Sequence, residues 1–523
     1  MRKLRLRVVL VELVALSLLI SSLAIPALAE EEYQVIATLQ SPEPDSNSKF
    51  GYSVAVSGDI VVVGEAYGNI EGYVTPGKAY IFTTDGALLA ELQAPEPINH
   101  AGFGYDVAIS GDIVVIGESW AELEGKRNTG RAHIFDSDGN YIATLQAPEP
   151  EAEQTFGHSV DVDGEIVIVG VSHPTSEGKA FIFDPAGNYI ATLQSPEPQM
   201  ASHFGRSVAV SGDIIVVGAP AVTVEGFEVA GKTYIFDDKG NSIATLQSPE
   251  PQYNVWFGCG GDMSGDIIVV GESWHTVEGK DKAGRAHIFD SDGNYIATLQ
   301  APEPEENAEF GECTAVSGDI IVLGEPLGDV EKLNEGRVYI FDSDGNLIAN
   351  LQSPEPYPGA EFGFSVAISE DIVVIGEPQA DVEGKGKAGR VYIFQAGAAA
   401  FTSSGLTIDP SSIDVGGTVK ISVEVTNTGA KSGTHKVALM IDGEVEDEMT
   451  VTLNPDETET VSFEVSASQL GTFSVEVDGL SGSYTVTEKE KRPPGGIPGF
   501  PYEAIILGLV AGVFILWMLQ QRR

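Results

Sequence analysis

Three short segments carry carboxylates two positions apart, Asp136 with Asp138, Asp290 with Asp292 and Asp342 with Asp344, each inside Asp-Ser-Asp-Gly-Asn. Hard cations take oxygen ligands, so this spacing invites calcium. The same residues also make a hairpin turn, because Asp and Asn bond their own backbone and Gly accepts a positive φ. The equivalent segments at Asp184 and Asp237 lose the pattern, and no Glu stands where an EF-hand loop needs one. We expect turns and no resident cofactor, with calcium as the alternative.

A second set pairs opposite charges. Gly followed by a cation recurs at Lys78, Arg131, Lys179, Lys232, Arg285, Arg337 and Arg390, and a glutamate stands upstream in five copies, at Glu65, Glu118, Glu272, Glu325 and Glu377. Cross-strand ion pairs are the expected use, at about 0.2–1 kcal/mol each; a basic ring for an anionic ligand is the alternative. Histidines are few, and His133 and His287 occupy slots held elsewhere by tyrosine, so we expect them to pack. No GxSxG, HExxH or Gly-rich phosphate loop occurs, which leaves a hydrolase site assembled from loops as the sole enzymatic reading.

The elements that must position these residues form a repeat. Phe-Gly stands at Phe50, Phe103, Phe156, Phe204, Phe257, Phe310 and Phe362, a period in the range of propellers and solenoids. Each copy reads as four strands, in the first copy A at 52–56, B at 60–63, C at 79–82 and D at 88–92. No strand D follows the seventh strand C, yet one stands ahead of the first copy, at 35–40. All copies are completed only if that leading strand joins the last one, which closes a ring and hides its edges. The expected fold is all-β: a seven-bladed β-propeller over 30–397, closed by its N-terminal strand. Pro-Glu-Pro after each strand D ends the ladder and blocks edge pairing.

Antiparallel meanders put the A-B and C-D turns at one end and the B-C and D-A loops at the other. The first end is minimal and the second is long and varied. Tyr67, Trp120, His173, His203, Tyr253, Trp256, Trp274 and His275 all fall on the second. Aromatics on variable loops held by a rigid scaffold are the material of a binding surface, so these eight are the candidate binding residues, for an extracellular protein or glycan ligand. The competing reading has each ring packed over its own loop.

The segment FGRSVAVSGDIIVVGAP with GKTYIF, from Phe204 to Phe236, resembles the FG-GAP repeat of integrin α-subunits and their prokaryotic relatives. That resemblance implies extracellular recognition or adhesion without catalysis. The family's calcium loop between strands A and B is absent, because only Ser57-Gly58-Asp59 stands there. Residues 398–488 alternate with period two and suggest an immunoglobulin-like β-sandwich. VEVTNTGAKSGTHKVALMIDG within them is similar to the CARDB domain, which implies a spacer or a second adhesive module.

The ends bear on location. Residues 1–29 have a basic head, an apolar run and Ala27-Leu28-Ala29, which reads as a signal peptide cleaved after Ala29; an uncleaved anchor is the alternative. A Pro/Gly linker (489–503), an apolar run (504–519) and a basic tail (520–523) predict one C-terminal transmembrane helix with its arginines inside. Pro-Gly-Phe before that run resembles archaeal sorting signals, by which a lipid would replace the helix. A net charge of -48 excludes a nucleic-acid partner. Two cysteines build no disulfide framework; Cys259 and Cys313 are either bridged or two separate thiols. Together these features predict a cell-surface adhesion or recognition protein, with a surface-layer-like envelope component and a surface glycan hydrolase as the alternatives.

Overall fold

The computed structural model describes residues 33–172, 177–330, 333–397, 400–429, 432–455 and 457–489. The expected signal peptide, transmembrane helix, basic tail, most of the linker and His173 lie outside them. Among the described residues no helix is long and apolar enough to cross a membrane. The described residues divide into two compact units, 33–397 and 400–489.

The first unit is a β-propeller whose described residues form seven four-stranded antiparallel sheets, numbered here in chain order. Six take their strands A to D consecutively. The seventh joins Ser365–Ser369, Ile372–Glu377 and Arg390–Ala396 to Tyr33–Leu39, which runs antiparallel along the last of these with Tyr33 opposite Ala396 and Leu39 opposite Val391. In sheet 1, strand A begins at Val54, later than its pattern suggests, and B and C extend to Ile60–Glu65 and Lys78–Thr83. Strand B is buried on both faces, as its unbroken apolar run requires. Strand D is the sheet edge, and half of it faces solvent.

The Phe-Gly motif is the joint between sheets. All seven phenylalanines are fully buried, and Phe50 meets Phe82 edge-on at 6.0 Å, as Phe103 meets Phe135 at 6.1 Å. The backbone of Phe103 bridges Gly77 of the preceding sheet, and Phe50 bridges Gly389 of sheet 7 in the same way. Gly77 has φ +89°, and a Cβ there would lie 2.1 Å from the Phe103 carbonyl oxygen, so only glycine permits this approach. A belt of side chains on the strand A-B turns adds a second seam. Gly111 N–H donates to Ser57 Oγ at 3.1 Å, Gly265 N–H to Ser211 Oγ at 3.1 Å, and Gly58 N–H to Ser369 Oγ of sheet 7 at 3.2 Å.

The Asp-Gly-Asn segments are turns. Asp136 Oδ1 accepts Asn140 N–H at 2.7 Å, and its Oδ2 accepts the Asn140 side chain at 2.9 Å. The same pair forms at Asp184 and Asp237, where Asp-Ser-Asp is lost. These bonds hold the Asp136 carboxyl below the usual range.

The second unit is a β-sandwich with eight strands where the pattern suggested about seven. Phe401–Asp409, Thr418–Asn427 and Thr458–Ser466 form one sheet, and five strands form the other. Its extra element is the short Ser412–Asp414, which pairs in parallel with Leu480–Thr487. Val419, Ile421, Val423, Val437, Leu439 and Phe463 pack between the two layers.

Candidate ligand-binding face

The B-C and D-A loops are bonded into one surface. Trp120 N–H donates to the Ala101 carbonyl at 2.9 Å, and Tyr67, Ala221, Trp274, Leu327 and Gln379 repeat that bond to the D-A loop of their own copy. The residue before each Phe-Gly is left-handed in all seven copies: Lys49, Gly102, Thr155, His203, Trp256, Glu309 and Glu361. Six of these are not glycine, and such backbone costs of order 1 kcal/mol.

Two aromatic groups occupy this face. Tyr67 lies 5.5 Å from Trp120 and 5.8 Å from Tyr52, and Tyr105 lies 5.0 Å from Trp120. Across the ring Trp256 meets Trp274 at 4.7 Å and His203 at 6.3 Å, and Lys282 sits over Trp274 at 3.8 Å. Thus five of the eight predicted residues fall into these two groups, Tyr67 and Trp120 in one and His203, Trp256 and Trp274 in the other. All five are half-buried and cover one another's faces, so they build a rigid surface as much as they offer one.

Two of the eight do not join them. Tyr253 is exposed and donates its hydroxyl to Glu228 at 2.6 Å. His275 is fully buried, 2.9 Å from Glu272, with Gln252 at 2.8 Å on its other nitrogen. Val277, two positions later, is buried as well.

The residues missed by sequence reasoning follow each Phe-Gly: Tyr52, Tyr105, His158, Arg206, Cys259, Glu312 and Phe364. They form an inner ring at the strand A starts. Tyr52 lies 5.2 Å from Tyr105 and 5.1 Å from Phe364, and Tyr105 lies 5.1 Å from His158. Burial, reinforced by the Arg206 charge, drives the His158 pKa well down, so its neutral Nε2 accepts from Arg206 Nη1. Arg206 Nη2 lies 3.8 Å from Glu312, which accepts Ser273 Oγ–H at 2.6 Å. The variable residue directly after each repeated Phe-Gly was the available signal. Deeper, burial raises Asp106 to about 6 although it accepts Ser53 Oγ–H and Val160 N–H, both at 2.8 Å.

The cysteines are unbridged. Cys259 Sγ lies 3.3 Å from Ser273 Oγ, Cys313 Sγ–H donates to the Gly363 carbonyl at 2.9 Å, and burial pushes the Cys259 thiol up to about 12.

The cross-strand charge pairs need a correction. The register is as expected, with Glu65 opposite Lys78 and Glu118 opposite Arg131. The cations mostly turn elsewhere: Lys78 to Glu91 at 3.0 Å, and Lys232, Arg285 and Arg390 to Glu197, Glu250 and Glu355 of the Pro-Glu-Pro ending the preceding sheet, at 2.6, 3.0 and 2.8 Å. Two of the expected pairs do form, Arg131 with Glu118 and Arg337 with Glu325 at 3.7 Å, while strand B glutamates are also buried against the ring in strand C, Glu65 with Tyr80 at 2.8 Å and Glu325 with Tyr339 at 3.2 Å. A desolvated carboxylate takes the donor that is already buried beside it.

The FG-GAP repeat profile matches residues 34–82, 88–135, 190–236, 294–341 and 348–394, and the CARDB profile matches 403–490. The chain carries FG-GAP repeats and a CARDB domain. Each FG-GAP match runs from one strand D through the next A, B and C, so its unit straddles two sheets. The copies at Phe156 and Phe257 are unmatched, the first having the shortest B-C loop and the second Cys259-Gly260-Gly261 in strand A's approach. No curated protein matches the chain. Among solved structures, a β-glucosidase from Erythrobacter marinus is similar at 20% identity over 17% of this chain and 16% of its own, with a TM-score of 0.17.

Proposed function

We propose that this FG-GAP and CARDB protein is an extracellular adhesion or ligand-recognition protein that binds through the B-C and D-A loop face. FG-GAP and CARDB are non-catalytic families, and their presence supports an extracellular binding role. The observation that carries the face assignment is the shared backbone bond of six B-C loops to their D-A loops, which holds chemically diverse side chains in fixed places. In this reading the sheets form a seven-bladed closed propeller, residues 1–29 direct export, and residues 504–519 anchor the chain in a membrane.

Replacing Trp120, Trp256 and Trp274 together by leucine tests the face. Binding to a protein and glycan array should fall while the thermal transition of the purified chain survives; unchanged binding moves the site elsewhere. A self-assembling envelope component is the second reading, favoured by the apolar pairs that strand D exposes around the propeller, such as Tyr141 with Ile142 and Tyr189 with Ile190. Ordered arrays from the purified chain would support it.

A further inference from the structure

Residues 130–151 and 284–305 are identical, yet they end in different arrangements. In sheet 2, Arg131 turns inward: Nε donates to Glu118, Nη2 reaches Glu118 Oε1 at 3.2 Å, and His133 Nε2 lies 2.8 Å from the same carboxylate. In sheet 5 the corresponding Glu272 is met by two imidazoles, His287 at 3.0 Å and His275 at 2.9 Å, where sheet 2 has Ala121. Arg285 is thereby released. It turns outward to Glu250 at 3.0 Å, and its Nε is buried with no partner.

The released arginine borders a groove of about 280 Å³ between the end of sheet 4 and strands C and D of sheet 5. Its lining offers donors from Arg285 and Gln300 and acceptors from Glu250 and Thr298. Each sugar hydroxyl is both donor and acceptor, which suits this mixture, whereas a simple anion is opposed by Glu250. Tyr295, 49% exposed and held edge-on to Phe289 at 5.9 Å, supplies a flat apolar surface for a sugar's C–H face. We propose that this groove, whose lining shares no residue with the two aromatic groups of the loop face, is a binding subsite for one neutral hexose unit.

The test is saturation-transfer NMR on the purified full chain with the methyl glycosides of glucose, mannose and galactose. At least one should show transfer, and Tyr295→Ala should weaken it by about tenfold or more. Tyr141→Ala, the same residue in the identical segment of sheet 2, should leave it unchanged. His275→Ala should let Arg285 fold back onto Glu272 and abolish transfer while Tyr295 remains. Absence of transfer from all three glycosides, transfer indifferent to Tyr295→Ala, equal loss in Tyr141→Ala, or full binding in His275→Ala would each overturn the proposal. Tyr295 is a surface residue, so its variant remains informative even where His275→Ala fails to fold.

Discussion

Sheets 2 and 5 share the same strands C and D, residue for residue, and differ in what neutralises the glutamate that closes strand B. Glu118 faces an arginine and a histidine; Glu272 faces two histidines. An arginine cannot shed its charge inside a protein, whereas a histidine can. The comparison teaches that local sequence fixes the strands while one loop residue, Ala121 or His275, decides where a buried charge goes. The largest expected effect follows directly. Glu118→Ala strands Arg131, 5% exposed, as an uncompensated cation and should cost about 3–5 kcal/mol. Glu272→Ala strands no arginine and should cost about 1–3 kcal/mol. Denaturant midpoints of the two variants check the ordering, and equal losses would break the comparison.

Sheets 1, 6 and 7 supply a third case, in which the glutamate has a tyrosine in its neighbourhood and no imidazole. Burial pushes Glu325 up to about 8 and Glu377 up to about 7, against the pull of Arg337 and, for Glu377, of Ser353 and Arg390. In sheet 5 burial also pushes upward, but bonds from His275 and His287 overcome it and hold Glu272 below its ordinary value. A carboxyl raised in the folded state binds its proton more tightly there than when unfolded. Its stabilising contribution is therefore complete below about pH 4.3 and is lost as pH rises through about 7 for Glu377. Glu377→Gln mimics the protonated form. It should be more stable than the native chain at pH 8 by about 1–3 kcal/mol and close to it at pH 5. Thermal unfolding at the two pH values measures this, and a gain at pH 5 alone would reverse the assignment.

His133 sharpens the contrast in the opposite direction. Burial lowers its pKa, although Glu118 pulls upward. A base whose folded pKa is depressed stabilises above its unfolded pKa, about 6.5, and that stability is lost as pH falls further. His133→Tyr, which installs the residue that sheets 1, 4, 6 and 7 carry in this slot, should flatten the loss between pH 7 and pH 5 by ~1 kcal/mol. The difference between native and variant unfolding curves across that range is the readout.

Much of this architecture was legible in the chain. The displaced strand D ahead of Phe50 announced the pairing of Tyr33–Leu39 with Arg390–Ala396, because strand pairing follows from repeat arithmetic and hydrophobic alternation. The antiparallel meander likewise put Trp256 beside Trp274, a B-C loop against the D-A loop of its own copy. The partner of each buried glutamate did not. Register placed Glu65 opposite Lys78, but the outcome depended on which donor was already desolvated, Tyr80 in this case, and on glutamates that arrive from the neighbouring sheet. The inner ring of Tyr52, His158, Arg206 and Glu312 was hidden for a related reason. Each residue is unremarkable in its own repeat, and only the circular arrangement brings them within contact.

The smallest effect belongs to the outer ends of the two identical segments, where their surroundings also agree. Asp136 and Asp290 each bond an asparagine four residues on, with backbone distances of 2.7 Å in both. Those bonds hold both carboxyls below the usual range. Gly139 and Gly293 pack the same way against the preceding strand D, where an added Cβ would lie 2.8 Å from Ala90 and 2.7 Å from Ala244. Asp136→Ala and Asp290→Ala should therefore produce small and equal shifts of the denaturation midpoint, with the double variant giving their sum. The contrast with Glu118 and Glu272 is what makes equality informative: the same residues respond alike where the neighbours match and differently where His275 intrudes. Repeating the measurement with added calcium separates the turn from a metal loop. A calcium-dependent rise in the native transition that vanishes in either variant would mean that the aspartates coordinate an ion and that the asparagine bonds are secondary.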